Sequence, residues 1–153
     1  MRNKLLVLGI GNTLLGDDGV GIYVARKIGA QYQQELTIDV AETNLGGIAL
    51  LDLIAGYEEV IIVDAIITKK KRPGTIYRLS LEELGNITDV YMLHAIDLRT
   101  AIELGRTLGY QIPEDIRIYA IEIRENTTFS EGLSPEIEQA VPAVIQQIVH
   151  DLQ

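Results

Sequence analysis

Two carboxylates and one imidazole stand where the side chains of this 153-residue sequence could do chemistry. Asp64 follows Val60-Ile61-Ile62-Val63, a β-branched run that reads as the central strand and that Asp64 terminates. A charge at the carboxyl end of such a strand must be paired, capped, neutralised or put to use, the plain alternative being a cap or turn former for the next loop. Asp18 is the second acid of Gly16-Asp17-Asp18-Gly19, at the start of an expected helix. One of the pair can cap that helix and both complement its dipole, worth about 0.3–1 kcal/mol. That reading suits Asp17. For Asp18, the small residues Gly16, Gly19 and Gly21 would let another backbone or a ligand come close, which points to a site. His94 is one of two histidines; beside Met92 and Leu93 it also fits a partly buried core or capping group. The other, His150, sits where a helix C-terminus favours it. Should the loop carrying His94 return to the sheet edge that bears Asp18 and Asp64, the three would make an open site for a divalent metal. Their spacing does not itself show this, since they come from three separate segments.

Composition narrows the chemistry by exclusion. The sequence has no cysteine, so any metal must be held by carboxylate and imidazole, and no thiol nucleophile exists. Neither G-x-S-x-G nor H-E-x-x-H occurs. Gly9-Ile10-Gly11-Asn12-Thr13-Leu14 begins like a dinucleotide fingerprint, but Leu14 stands where the third glycine belongs. Asp17 and Asp18 would also repel a pyrophosphate at the helix start. A net charge of -9 gives no footprint for nucleic acid or anionic lipid. No apolar run approaches the roughly 20 residues that span a bilayer. The short apolar run after Lys4 breaks at Gly11-Asn12 with no small-residue cleavage site, so it reads as a strand, and an intracellular protein is expected. The sequons at Asn86 and Asn126 then read as chance matches.

The elements that must position these residues alternate. Residues 5–10 form an apolar run suited to a strand buried on both faces. Val20, Val24 and Ile28 mark a helix over residues 18–28, residues 36–40 a second strand, and Ile48, Leu51 and Ile54 the stripe of a second helix. After the central strand, Lys69-Lys70-Lys71-Arg72-Pro73-Gly74 is a turn leading to an edge strand at 75–79, its basic run reading as a solvated loop. A third helix carries Leu98, Ala101, Ile102, Gly105 and Leu108 and can end at Gly109. Residues 116–123 form a fifth strand. Ser134 offers a capping hydroxyl before Pro135, and Ile137, Val141, Val144, Ile145, Ile148 and Leu152 form the last apolar face. Pro142 lies inside it, where a proline costs about 3 kcal/mol, so a kink or break is expected. With 47% hydrophobic residues the chain can bury its own core, and one domain over residues 1–153 is expected. The alternation predicts a mostly parallel sheet covered on both faces, with ligands beyond the carboxyl ends of its strands.

Taken together, LVLGIGNTLLGDDGVG, VIIVDAI, the histidine of LHAIDL and the late EGLSPEIEQAVP closely resemble the hydrogenase maturation endopeptidase family, over nearly the whole chain. The resemblance implies an α/β three-layer sandwich of phosphorylase/hydrolase-like type, with a five-stranded, mostly parallel sheet between helices. It implies an endopeptidase, described as aspartyl-type or metal-dependent, that removes the C-terminal extension of a nickel-iron hydrogenase large-subunit precursor after nickel insertion. Nickel carried by that precursor is the recognition element, and no organic cofactor is implied. Carried over residue by residue, the metal-contacting and catalytic positions fall on Asp18, Asp64 and His94. Some members have glutamate at the first of these, for which aspartate is a shorter oxygen ligand. Gly46-Gly47, after Thr43-Asn44-Leu45, resembles the family's glycine-containing loop, linked to precursor recognition. Two departures stand out: Met92 and Leu93 where many relatives have a serine shortly before the histidine, and the run from Lys69 through Arg72, which is not a general family feature. A cytoplasmic monomer with that precursor as partner, and with neither nucleic acid nor membrane, is the expectation. The competing expectations are a non-catalytic nickel-binding maturation chaperone of the same fold and a nucleotide-binding module.

Overall fold

Runs of aliphatic residues without polar alternation have no solvent face to offer, so they become strands covered on both sides. In the computed structural model, which describes residues 4–86, 98–125 and 128–153, these are β1 (Leu5–Ile10), β3 (Glu59–Ile66) and β5 (Asp115–Glu122), joined by two edge strands that are not such runs, β2 (Asp39–Thr43) and β4 (Ile76–Ser80). The sheet order is β2-β1-β3-β5-β4, parallel except for antiparallel β4. Period-two alternation divides the core into two layers. Val7, Ile61, Val63, Tyr119 and Ile121 pack beneath α1 (Val20–Leu36) and α5 (Pro135–Leu152). Leu8, Ile62, Ile66 and Ile118 pack beneath α2 (Leu51–Ile54), α3 (Leu81–Gly85) and α4 (Leu98–Thr107). The expected sheet between helix layers is therefore present.

Because β1 lies between β2 and β3, the chain leaves it first to one side and then to the other. This opens a crevice at the carboxyl ends of β1 and β3, the switch point where open α/β sheets bind ligands.

Several boundaries differ from expectation. The second strand is not 36–40: α1 runs through Leu36, with Tyr32 and Leu36 packed on the same core as its first turns, and Thr37 caps it in the left-handed region. Strand β2 starts at Asp39 and ends at Thr43, where pairing with β1 holds it. The opening of the first helix is a 3-10 turn, Gly16–Gly19. Ile48, expected in the stripe of the second helix, is exposed, while Leu51 and Ile54 are buried. Pro142 does not break α5: its face is exposed, so the carbonyl it leaves without an amide partner is turned to water. The short helix α3, not foreseen, starts with a capping box in which Ser80 and Glu83 satisfy each other's backbone amides.

Candidate active site

Asp64 is not the last residue of its strand. Strand β3 continues to Ile66, paired with β5 up to Ile66↔Glu122, because β5 extends beyond the end of β1. On the other side, pairing with β1 stops at Gly9↔Val63, so Asp64 stands where the crevice opens. Alternation turns its side chain to the layer of Ile62 and Ile66, the face covered by α2, α3 and α4. It is 1% exposed, and its Oδ1 accepts the Ala65 N–H at 2.8 Å. Burial pushes its carboxyl well above the ordinary carboxylate range; the Ala65 N–H pulls back, and the negative charge of Asp18 pushes further.

Asp18 reaches the same place from the helix side. Its Oδ2 accepts the Asn12 N–H at 2.9 Å, and the Asn12 side chain in turn accepts the Leu14 N–H at 3.0 Å. Of the two approaches that Gly16, Gly19 and Gly21 would allow, by another backbone or by a ligand, the structure shows the first at Gly19 and Gly21. A Cβ on Gly21 would lie 2.1 Å from the Val63 carbonyl oxygen, and one on Gly11 would lie 2.2 Å from that of Asp18. Only glycine lets α1 sit directly on the strand ends, one residue before Asp64.

Asp17 is structural in an unexpected way. Its Oδ1 accepts the Ser134 N–H at 2.7 Å and its Oδ2 accepts the Ser134 hydroxyl at 2.8 Å. Ser134 therefore does not use its hydroxyl to cap its own helix, as its position suggested; Asp17 supplies a carboxylate to the start of α5 instead. His94 lies outside the described residues. Among those described, no group of three or more His, Cys, Asp and Glu is placed to hold a metal.

One buried acid was overlooked. Glu122, 1% exposed, accepts the Thr68 N–H at 2.8 Å, the Tyr77 hydroxyl at 2.8 Å and the Thr68 hydroxyl. The signal was available: a lone acid near the end of the apolar run IYAIEI invites the argument applied to Asp64. Its bonds anchor the turn that carries Lys69, Lys70, Lys71 and Arg72, whose Lys70 N–H is held by Thr68 Oγ1 at 3.1 Å.

The fold and the paired acids at a switch point define a three-layer α/β protein with a carboxylate site. The chain matches the family described as hydrogenase maturation protease (HycI) over residues 22–151, and it belongs to that family; it is a peptide hydrolase. It is 28% identical over 147 residues to the hydrogenase 2 maturation protease of Escherichia coli K12, covering 95% of this chain and 88% of that protein. The structure of the hydrogenase maturating endopeptidase HybD from E. coli superposes with a TM-score of 0.76 at 28% identity, over 99% of this chain and 92% of that one. The fold is also that of the [NiFe] hydrogenase maturation protease HybD from Thermococcus kodakarensis, with a TM-score of 0.79 at 24% identity and full coverage of both chains.

Proposed function

We propose that the protein removes the C-terminal extension of a nickel-iron hydrogenase large-subunit precursor in the cytoplasm, and that Asp18, Asp64 and His94 recognise the nickel this substrate carries. The observation that carries the reading is the burial of Asp64 beside the charge of Asp18 at the switch point. Two like-charged groups at one crevice are stabilised by a cation placed between them, and an imidazole with carboxylates is a donor set that suits nickel. His94 precedes α4 in the sequence, and α4 covers the face from which Asp64 projects. A divalent ion displaces the proton that burial favours on Asp64, so recognition of metal and ionisation of the acid are one event. Held by Asp18, Asp64 and His94, the ion would polarise the scissile carbonyl or a bound water, and a carboxylate oxygen of Asp18 or Asp64 left free would accept the proton of that water.

Nickel-loaded and nickel-free precursor, each mixed with the protein and followed by mass spectrometry of the large subunit, test this directly. Cleavage of the loaded form alone is expected. Equal cleavage of both removes the metal-recognition role, and binding without any peptide release makes the protein a chaperone.

A further inference from the structure

The only phenylalanine of the chain, Phe129, is 77% exposed, and Leu14 is 53% exposed. An aromatic ring is among the most favourable side chains to bury, so placing the sole phenylalanine in water leaves a large apolar surface without the core it would otherwise join. Nor is the exposure scattered. Leu15 pairs in parallel with Ser130, the Ser130 N–H donating to the Leu14 carbonyl at 2.9 Å and the Gly16 N–H to the Ser130 carbonyl at 2.7 Å. That bond from the Ser130 N–H to the Leu14 carbonyl sets Leu14 and Phe129 on adjacent stretches of backbone, both exposed. The Asp17–Ser134 bonds fasten the two segments just beyond it.

This pair belongs to the rim of the acid site. Asn12 binds Asp18 through its N–H and Leu14 through its side chain, and the Asp18 N–H donates to the Leu15 carbonyl at 3.2 Å. On its other flank Leu14 borders a groove lined by Gly11, Asn12, Thr13, Arg26 and Thr43, at the carboxyl edge between β1 and β2. In a chain of net charge -9, the segments Asn12-Thr13-Leu14-Leu15 and Thr128-Phe129-Ser130 carry no charge at all. What they fit is apolar.

We propose that Leu14 and Phe129 form a clamp for the peptide substrate, gripping a bulky aliphatic or aromatic side chain close to the scissile bond. The proposal rests on the protease reading. Its occupant follows from continuity with the site: Leu14 and Asp18 belong to one turn bonded through Asn12 and Leu15, so a peptide whose scissile bond reaches Asp18 lies against that turn. The pre-paired backbone holds both apolar groups in place before the substrate arrives, so little ordering is needed on binding.

The test is steady-state processing of nickel-loaded large-subunit precursor from the same genome by the wild type, Phe129→Ala, Leu14→Ala, the double variant and Phe129→Leu. Leu108→Ala, at an exposed position just beyond the end of α4, serves as control, and thermal melting confirms that each variant folds. The double variant is expected to raise KM about tenfold or more, the scale of losing a buried apolar side chain, with kcat within about twofold. Phe129→Leu should recover most of the loss, and Leu108→Ala should match the wild type. An unchanged KM in the folded double variant overturns the clamp. So does a sedimentation result in which the pair joins two copies of the chain and its removal yields monomers with unaltered KM. If the wild type cleaves nothing, it is the protease reading that fails; the clamp is then judged by precursor affinity alone, and equal affinity for wild type and double variant overturns it.

Discussion

Asp64 and Glu122 are both 1% exposed, two acids near the carboxyl ends of neighbouring strands, yet the molecule treats them differently. Glu122 is wrapped by Thr68 and Tyr77, whose three bonds make it a fastening for the loop beyond β3. Asp64 faces a second acid across the crevice, and burial raises its pKa. A buried carboxylate surrounded by donors is a structural group; one buried toward another carboxylate carries an electrostatic cost, which the proposed binding of a cation would relieve. The distinction lies in what surrounds the acid, since both project from apolar strands of the same length.

The contrast is broken most severely by exchanging the two acids for their amides. Asp64→Asn should lower precursor processing by about a hundredfold or more, the scale of losing an acid–base group, while the fold persists. Glu122→Gln should leave kcat within a few-fold, yet destabilise the protein by about 1–3 kcal/mol as measured by urea unfolding, because one acceptor of Thr68 becomes a donor. The opposite pattern, a dead Glu122→Gln and an active Asp64→Asn, would reverse the assignment.

Melting curves across pH sharpen the comparison. The folded pKa of Asp64 lies above the unfolded value, so the stability it contributes is complete below about pH 4 and declines as the pH rises through the raised value. Asp64→Asn should therefore melt at a higher temperature than wild type at neutral pH, with the gap closing in acid. A gap that is constant with pH would contradict the raised pKa.

A smaller effect is expected at the neighbouring acid. Asp17→Ala removes two hydrogen bonds to Ser134 and should cost about 1–2 kcal/mol in unfolding free energy. Smallest of all, Arg26→Ala breaks a bidentate but exposed pair with Glu42 and should change stability by less than about 1 kcal/mol.

The sheet was legible because its strands are apolar and β-branched, and four of the five lie where the pattern put them within a residue or two. Strand β2 was misplaced because DVAET has no apolar signature: it is fixed by pairing with β1, while the preceding helix takes Leu36 for its own stripe. Asp18 and Asp64 were each legible as acids out of place, but their meeting was not, since it depends on Gly11 and Gly21 letting one backbone lie against another. The role of Asp17 could not be read at all, because its partner is 117 residues away in sequence. Glu122 could have been found and was passed over. His94, drawn from family resemblance, lies outside the residues described.

The bonds between Asp17 and Ser134 also set an order of events during synthesis. The turn that carries Asp18 is translated well before the segment that fastens it, which follows 117 residues later in the sequence. A chain cut short before Ser134 leaves the Asp17 carboxylate without the partner that fastens its turn to the start of α5.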